Sequence, residues 1–323
     1  MPTTPLTKVH DVAFPRLCVP DLDRMETFLL EFGMVVQART SEALYLRGMG
    51  SAHHVSVVHR GEPGFRGFAF RTENREDLER LAASPGFSPV AETDEPGGGY
   101  RTKTTDLDGN QIEVIFGLET LDPLASNAPR PLNMGNRFER IGQTQRIEQG
   151  PSRVKRFGHL ALNVSDVGAS LAWYQERFGI LASDRVCLAP DFPVAIFTRC
   201  DRGALPADHH SILLASSLTS NGESGLNHVS WEVTDIDDVL AGSEHLARQG
   251  RTHEWGVGRH LLGSQVFDYW RDPWGQIHEH WTDGDQFDAS VPTQDHGPET
   301  ALASQWGPNP PMTFGRTIAP EQS

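Results

Sequence analysis

The sequence predicts an α+β protein of four β-α-β-β-β modules, paired into two domains that each curl a mixed β-sheet into a cup. Three observations carry this. Four segments share one grammar, an apolar or alternating strand, a polar boundary residue, then an amphipathic helix closed by a small residue. Short strand-like runs follow each helix. A stretch rich in Pro, Asn, Gln and Arg, residues 121–150, separates the first two modules from the last two. The domains expected are 1–120 and 151–287, with 121–150 as linker and 288–323 as a Pro-rich tail.

The first module opens on PRLCVPDLDRMETFLLEFG (15–33) and the second on GFAFRTENREDLERLAASPG (67–86). The third opens on GHLALNVSDVGASLAWYQERFG (158–179) and the fourth on NHVSWEVTDIDDVLAGSEHLARQG (227–250). Asp166 and Asp235 are expected to cap the last two helices, which should stop near Gly179 and Gly250. The strands expected after the helices include HHVSVVHR (53–60), TDLDGNQIEVIFG (105–117), HHSILLAS (209–216) and RDPWGQIHEHW (271–281).

A net charge of -15 leaves nothing to neutralise a run of phosphates, so nucleic acid is excluded as a partner. No stretch approaches the roughly 20 apolar residues of a membrane span, and the first residues lack the pattern of a secretory signal. A cytoplasmic protein is expected. Cys18, Cys187 and Cys200 are widely spaced, which predicts packed, reduced thiols and no thiolate metal site.

Aligning the halves shows where they differ. Matching VPD (19–21) to VSD (164–166) sets Phe14 opposite His159, and matching GFRGFAF to GLNHVSW sets Gly67 opposite His228. Glu113 in DLDGNQIE falls opposite Glu279 in DPWGQIHE. Two imidazoles and a carboxylate therefore recur at equivalent points of the second half only. That set can hold a divalent metal and leave positions open for substrate and dioxygen. Strand alternation puts His159 with Ala161 and Asn163, and His228 with Ser230 and Glu232, on the less apolar faces of their strands. Glu279 shares a face with Ile277 and Trp281, while His278 and His280 point the other way; periodicity leaves open which face lines the cup.

The stretch GRHLLGSQVFDYWRDPWGQIHEHW (258–281) resembles the signature region of the type I extradiol ring-cleavage dioxygenases of the vicinal oxygen chelate superfamily. Gly258, His260, Tyr269, Asp272, Pro273, Gly275 and Glu279 match its pattern, with nine residues from His260 to Tyr269 and ten from Tyr269 to Glu279. The resemblance extends over residues 14–285. Asp268 departs from it, standing where the pattern has an apolar residue, and is expected to change the pocket wall.

The resemblance implies two vicinal-oxygen-chelate domains, the second catalytic. It implies His159, His228 and Glu279 as ligands of Fe(II), with Mn(II) as an alternative, and a catechol-type diol and O2 as substrates of a homo-oligomeric enzyme. His210 is implied as the acid-base residue beside the metal, with His260 and Tyr269 hydrogen-bonding the substrate oxygen. His54 occupies the equivalent of His210 in the first half. Competing readings are a glyoxalase-like isomerase or thiol transferase and a non-catalytic binder of aromatic compounds. Trp306, Pro308, Pro310, Pro311 and Phe314 predict that the tail packs near the cup mouth or at a subunit contact, although its composition also fits disorder.

Overall fold

The computed structural model describes residues 4–124, 130–220 and 222–316. The first module runs β1 (Asp11–Val19), α1 (Leu22–Glu31), β2 (Val35–Arg39), β3 (Ala43–Arg47) and β4 (Ser56–Arg60). The second runs β5 (Gly64–Arg71), α2 (Arg75–Ala82), β6 (Ala91–Glu92), β7 (Tyr100–Thr105) and β8 (Gln111–Phe116). The third has β9 (Arg156–Val164), α3 (Val167–Phe178), β10 (Ile180–Ala189), β11 (Phe192–Cys200), a short extra β12 (Ala207–Asp208) and β13 (Ile212–Ser216). The fourth has β14 (Gly225–Glu232), α4 (Ile236–Arg248), β15 (Thr252–His260), β16 (Val266–Arg271) and β17 (Ile277–Thr282). Beyond the fourth module come β18 (Gln286–Phe287) and, in the tail, β19 (Gln294–His296) and β20 (Ser304–Trp306).

Local chemistry starts and stops the helices. The carboxylates of Asp21, Asp166 and Asp235, and the amide oxygen of Asn74, accept from first-turn backbone N–H groups. The third helix ends on Gly179 at φ 66, a left-handed conformation in which a Cβ is costly.

Both large sheets follow one plan. The first is ordered β2-β3-β4-β1-β5-β8-β7-β6, and the second is β19-β10-β11-β13-β9-β14-β17-β16-β15-β20. In each, the opening strands of two modules pair antiparallel at the centre, β1 with β5 and β9 with β14, and each runs parallel to a later strand of its own module.

One hydrophobic cluster joins the helix-bearing faces of the two sheets. Phe32 of the first half stacks on His280 at 3.7 Å, and its backbone carbonyl meets His280 Nε2 at 2.7 Å. Tyr174 returns the contact by donating to Asp106 at 2.9 Å. Each buried aromatic here contributes about 1.5–3 kcal/mol of burial, so the halves stabilise one another. His278 and His280 belong to this interface, which leaves Glu279 on the opposite face. Cys18 and Cys200 are buried, and all three cysteines are free. No described helix is long and apolar enough to cross a membrane.

Candidate metal centre

Strand register assembles the site. Ser230 of β14 pairs with His159 on one side and Glu279 on the other, and Glu279 pairs onward with Tyr269 of β16. His159, Ser230, Glu279 and Tyr269 thus form one row across four adjacent strands. His228 lies two residues before Ser230 and so projects from the same face. The row brings His159 Nε2 to 3.0 Å and His228 Nε2 to 3.7 Å from Glu279 Oε2. One ligand atom from each of the three buried residues lies within 4.8 Å of the others. Ser230 donates a hydrogen bond to Glu279 Oε2.

The donor set fits a divalent cation. Burial pushes the Glu279 carboxyl up, but the imidazoles of His159, His260 and His228 outweigh it and hold the group well below the usual carboxylate range. Burial lowers His228 to about 3, so its lone pair is available. Glu279 Oε1 is buried without a hydrogen-bond partner. No Arg or Lys pairs with this carboxylate among the described residues, whereas two imidazole nitrogens and one carboxylate are a donor set that complements a 2+ charge.

A chain of amides sets the His228 tautomer. The Gly315 carbonyl can only accept, so Asn163 donates to it at 3.2 Å. Asn163 Oδ1 then accepts from Asn227 Nδ2 at 3.0 Å, and Asn227 Oδ1 faces His228 Nδ1 at 2.9 Å. The proton therefore sits on Nδ1, and Nε2 offers its lone pair towards Glu279. Asn227→Leu, which removes the acceptor, is expected to weaken metal binding roughly 10-fold to 100-fold, measured by competition with a chromophoric chelator. Asn227→Asp should retain most of the affinity.

The remaining predicted residues flank this row. His210, just before β13, is buried with its ring 4.1 Å from that of His159. Burial, with help from His159 and His209, holds it well below the usual histidine range, hence neutral. On the other side His260 Nε2 lies 2.9 Å from the Tyr269 hydroxyl. Burial raises Tyr269 well above its ordinary value and lowers His260, so the pair is a phenol beside a neutral imidazole. These rings line a narrow cavity of about 40 Å³ closed by Phe197, Leu213, Leu302 and Phe314. Larger cavities of about 440 and 730 Å³ lie where the halves meet, but neither gathers a metal-binding set among the described residues.

The first half repeats the register with different contents. Phe14, Ala69 and Glu113 form the matching row, and Gly67 stands where His228 does. Arg16 Nη2 binds Glu113 Oε2 at 2.8 Å and Lys103 Nζ binds Oε1 at 3.2 Å, so cationic side chains neutralise this carboxylate. Gly67 has φ +151, and a Cβ there would fall 1.8 Å from the Gln111 carbonyl oxygen. Phe14 packs on His54 at 4.4 Å, as His159 does on His210.

The Glyoxalase/Bleomycin resistance protein/Dioxygenase superfamily model matches residues 156–279. Metapyrocatechase 2 of Cupriavidus necator is 31% identical over 319 residues, 97% of this chain and 93% of that protein. The chain belongs to the extradiol dioxygenases of that superfamily. Solved structures with the same fold include the Mn(II)-bound glyoxalase of Novosphingobium aromaticivorans, with TM-score 0.79, 22% identity and coverage of 97% of this chain and 96% of that one. Another is the anaerobic substrate complex of homoprotocatechuate 2,3-dioxygenase of Brevibacterium fuscum, with TM-score 0.78, 18% identity and coverage of 99% and 95%.

Two expectations about this extradiol dioxygenase need correction. Asp268 does not wall the pocket: it is fully buried on the opposite face from Tyr269, meeting His253 Nε2 at 2.7 Å and accepting from Trp270 Nε1 at 2.5 Å. Strand alternation dictates this, since neighbours in β16 face opposite ways. It also divides the tryptophans, with Trp255 and Phe267 packing beside Tyr269 while Trp231 and Trp270 join the helix-side core.

The second correction concerns Trp306, which is 47% exposed and does not anchor the tail. The anchor is Phe314, 4.9 Å from both Trp255 and Tyr269 and 5.9 Å from His228. The tail is ordered through Arg316: β19 adds to β10 at one edge of the sheet and β20 to β15 at the other. The carbonyls of Thr313 and Arg316 accept from buried Arg271. Residues 317–323 lie outside the described ones. Phe314→Ala is expected to raise the KM for substrate about 10-fold, from lost apolar contact of about 1–2 kcal/mol, while metal content stays constant. Steady-state kinetics beside metal analysis checks this.

Proposed function

We propose that this enzyme cleaves the ring of a catechol-type diol with O2, next to its vicinal hydroxyls, at one mononuclear Fe(II) held by His159, His228 and Glu279. The observation that carries the reading is the three-donor row flanked on opposite sides by two different proton carriers. When bound, a ferrous ion supplies chelation of both diol oxygens and a route for ring electrons to reach dioxygen. Mn(II) fits the same donors, and a Mn(II)-bound protein is among those of the same fold.

The chain's own residues do the rest. In sheet order β13 and β16 lie on opposite sides of the three ligand strands, so His210 works from one side and Tyr269 with His260 from the other. Tyr269, kept as a phenol by burial, donates a hydrogen bond to the diol oxygen and steadies the charge left when that oxygen loses its proton. His260 orients the Tyr269 hydroxyl. Neutral His210 accepts a proton at one stage of the reaction and returns it as the C–C bond breaks, which suits an imidazole in a buried cavity. Phe197, Leu213 and Phe314 limit water beside the reacting groups. The reading extends to a cytoplasmic homo-oligomer.

The test is anaerobic reconstitution with Fe(II) or Mn(II), followed by a panel of catechols with oxygen uptake and ring-product absorbance recorded together. Stoichiometric uptake with appearance of a ring-opened product is expected. Turnover without oxygen, or saturable binding without turnover, would favour an isomerase or a binding protein.

A further inference from the structure

A second hydrogen-bonded chain runs from His210 away from the metal site, and none of its members belongs to the ligand set. His209 Nδ1 lies 3.1 Å from His210 Nδ1, and His209 Nε2 lies 2.8 Å from Asp184 Oδ2. The other carboxylate oxygen, Oδ1, meets His296 Nε2 of the tail at 3.0 Å. Asp184, His209 and His210 are all buried, while His296 is partly exposed.

The chain has a direction. A carboxylate accepts, so His209 donates from Nε2, and as an imidazole with that one proton its Nδ1 carries the lone pair. That lone pair faces His210 Nδ1, which must then hold the proton. The other nitrogen of His210, Nε2, is left with the lone pair on a ring that lines the cavity. We propose that Asp184 and His209 are positioning residues that fix His210 in the tautomer able to accept a proton from the reacting substrate. The inference rests on the role given to His210 above.

Three observations support the chain as a built device. Gly263, at φ +78, lies over His209, where a Cβ would come within 2.9 Å of Nδ1, so its lack of a side chain makes room for the ring. Burial pushes Asp184 up, but its hydrogen bonds from His209 and His296 prevail and hold it below the usual range, as an anion. The first half retains the paired rings, with His53 and His54 Nδ1 atoms 3.0 Å apart and Gly97 packed on His53. The carboxylate facing His53 there is Glu119, 60% exposed and 3.9 Å away. Among the described residues, the tight buried carboxylate thus accompanies the half that gathers the metal donors.

The proton balance is simple. As the substrate O–H bond breaks and His210 Nε2–H forms, His210 Nδ1–H can pass to His209 Nδ1, and the positive charge then faces Asp184. Return of the proton reverses both transfers and leaves the chain unchanged.

The test combines kinetics with a direct reading of the tautomer. Asp184→Ala in the metal-loaded enzyme should lower kcat roughly 10-fold to 100-fold, the range for losing a group that orients a working imidazole, with KM and metal content unchanged. Asp184→Asn, which keeps an acceptor oxygen, should recover most of the rate. In a His210→Asn background Asp184→Ala should cost nothing further, because the two act as one unit. ¹⁵N-histidine spectra of the zinc-loaded protein should show His210 protonated at Nδ1, and a tautomer mixture after Asp184→Ala. An unchanged kcat, an equal cost in the His210→Asn background, or a His210 protonated at Nε2 in the unaltered protein each overturns the proposal. A full rate in His210→Asn itself would instead sink the reading of His210, a result the spectra keep separate.

Discussion

Replacement of His159, His228 or Glu279 with alanine is expected to remove most of the bound metal and nearly all activity. The loss should exceed the ~10–100-fold that follows when an outer partner of a metal ligand is removed. Glu279→Ala should be the most severe, because it deletes the anion that compensates the metal's charge and also the acceptor of Ser230. Glu113→Ala is the control. Its carboxylate is already bound by Arg16 and Lys103, so stoichiometry should stay at one metal per chain. Metal analysis of each purified variant checks both statements, and two metals per unaltered chain would refute the single-site reading.

The second large effect is His210→Phe. The ring volume is kept in a buried position, so metal content and catechol binding should persist. Loss of the proton carrier should lower kcat about 10²–10⁴-fold, the usual contribution of a positioned general acid-base group. Oxygen uptake should also exceed ring-opened product as partly reduced oxygen escapes. Single-turnover absorbance with a peroxide assay reads both quantities. A variant with full rate and full yield would place the proton transfer on another group.

Much of this architecture was legible because the signals are local. Aspartate caps, glycine stops and alternating strands act within a few residues, so four modules could be read without knowing how they pack. The recurrence of His159 and His228 at equivalent points, with Phe14 and Gly67 opposite them, singled out the second half as the place to look for a metal. The face of Glu279 was a different matter, since His278 and His280 alternate with it. Only the packing of those two histidines on Phe28 and Phe32 resolves the choice.

What the sequence hid is non-local. Asp184 lies 25 residues before His209 and His296 lies 112 residues beyond Asp184, with no spacing rule to join them. The Gly315 carbonyl that ultimately orients His228 is a backbone group, which no residue pattern announces. Asp268 misled for a simpler reason: a neighbour in sequence along a strand is on the other side of the sheet.

Gly67 makes the asymmetry between the halves hard to undo. A histidine introduced there has no room beside the Gln111 carbonyl, and the backbone conformation is one that side chains resist. Even with that solved, Phe14 would have to change as well, and Arg16 would have to leave Glu113 without stranding a buried charge. No single replacement along this route completes the three-donor set. The first half is thus locked into its packing by three separate contacts, and a second metal site there would need concerted changes at Gly67, Phe14 and Arg16.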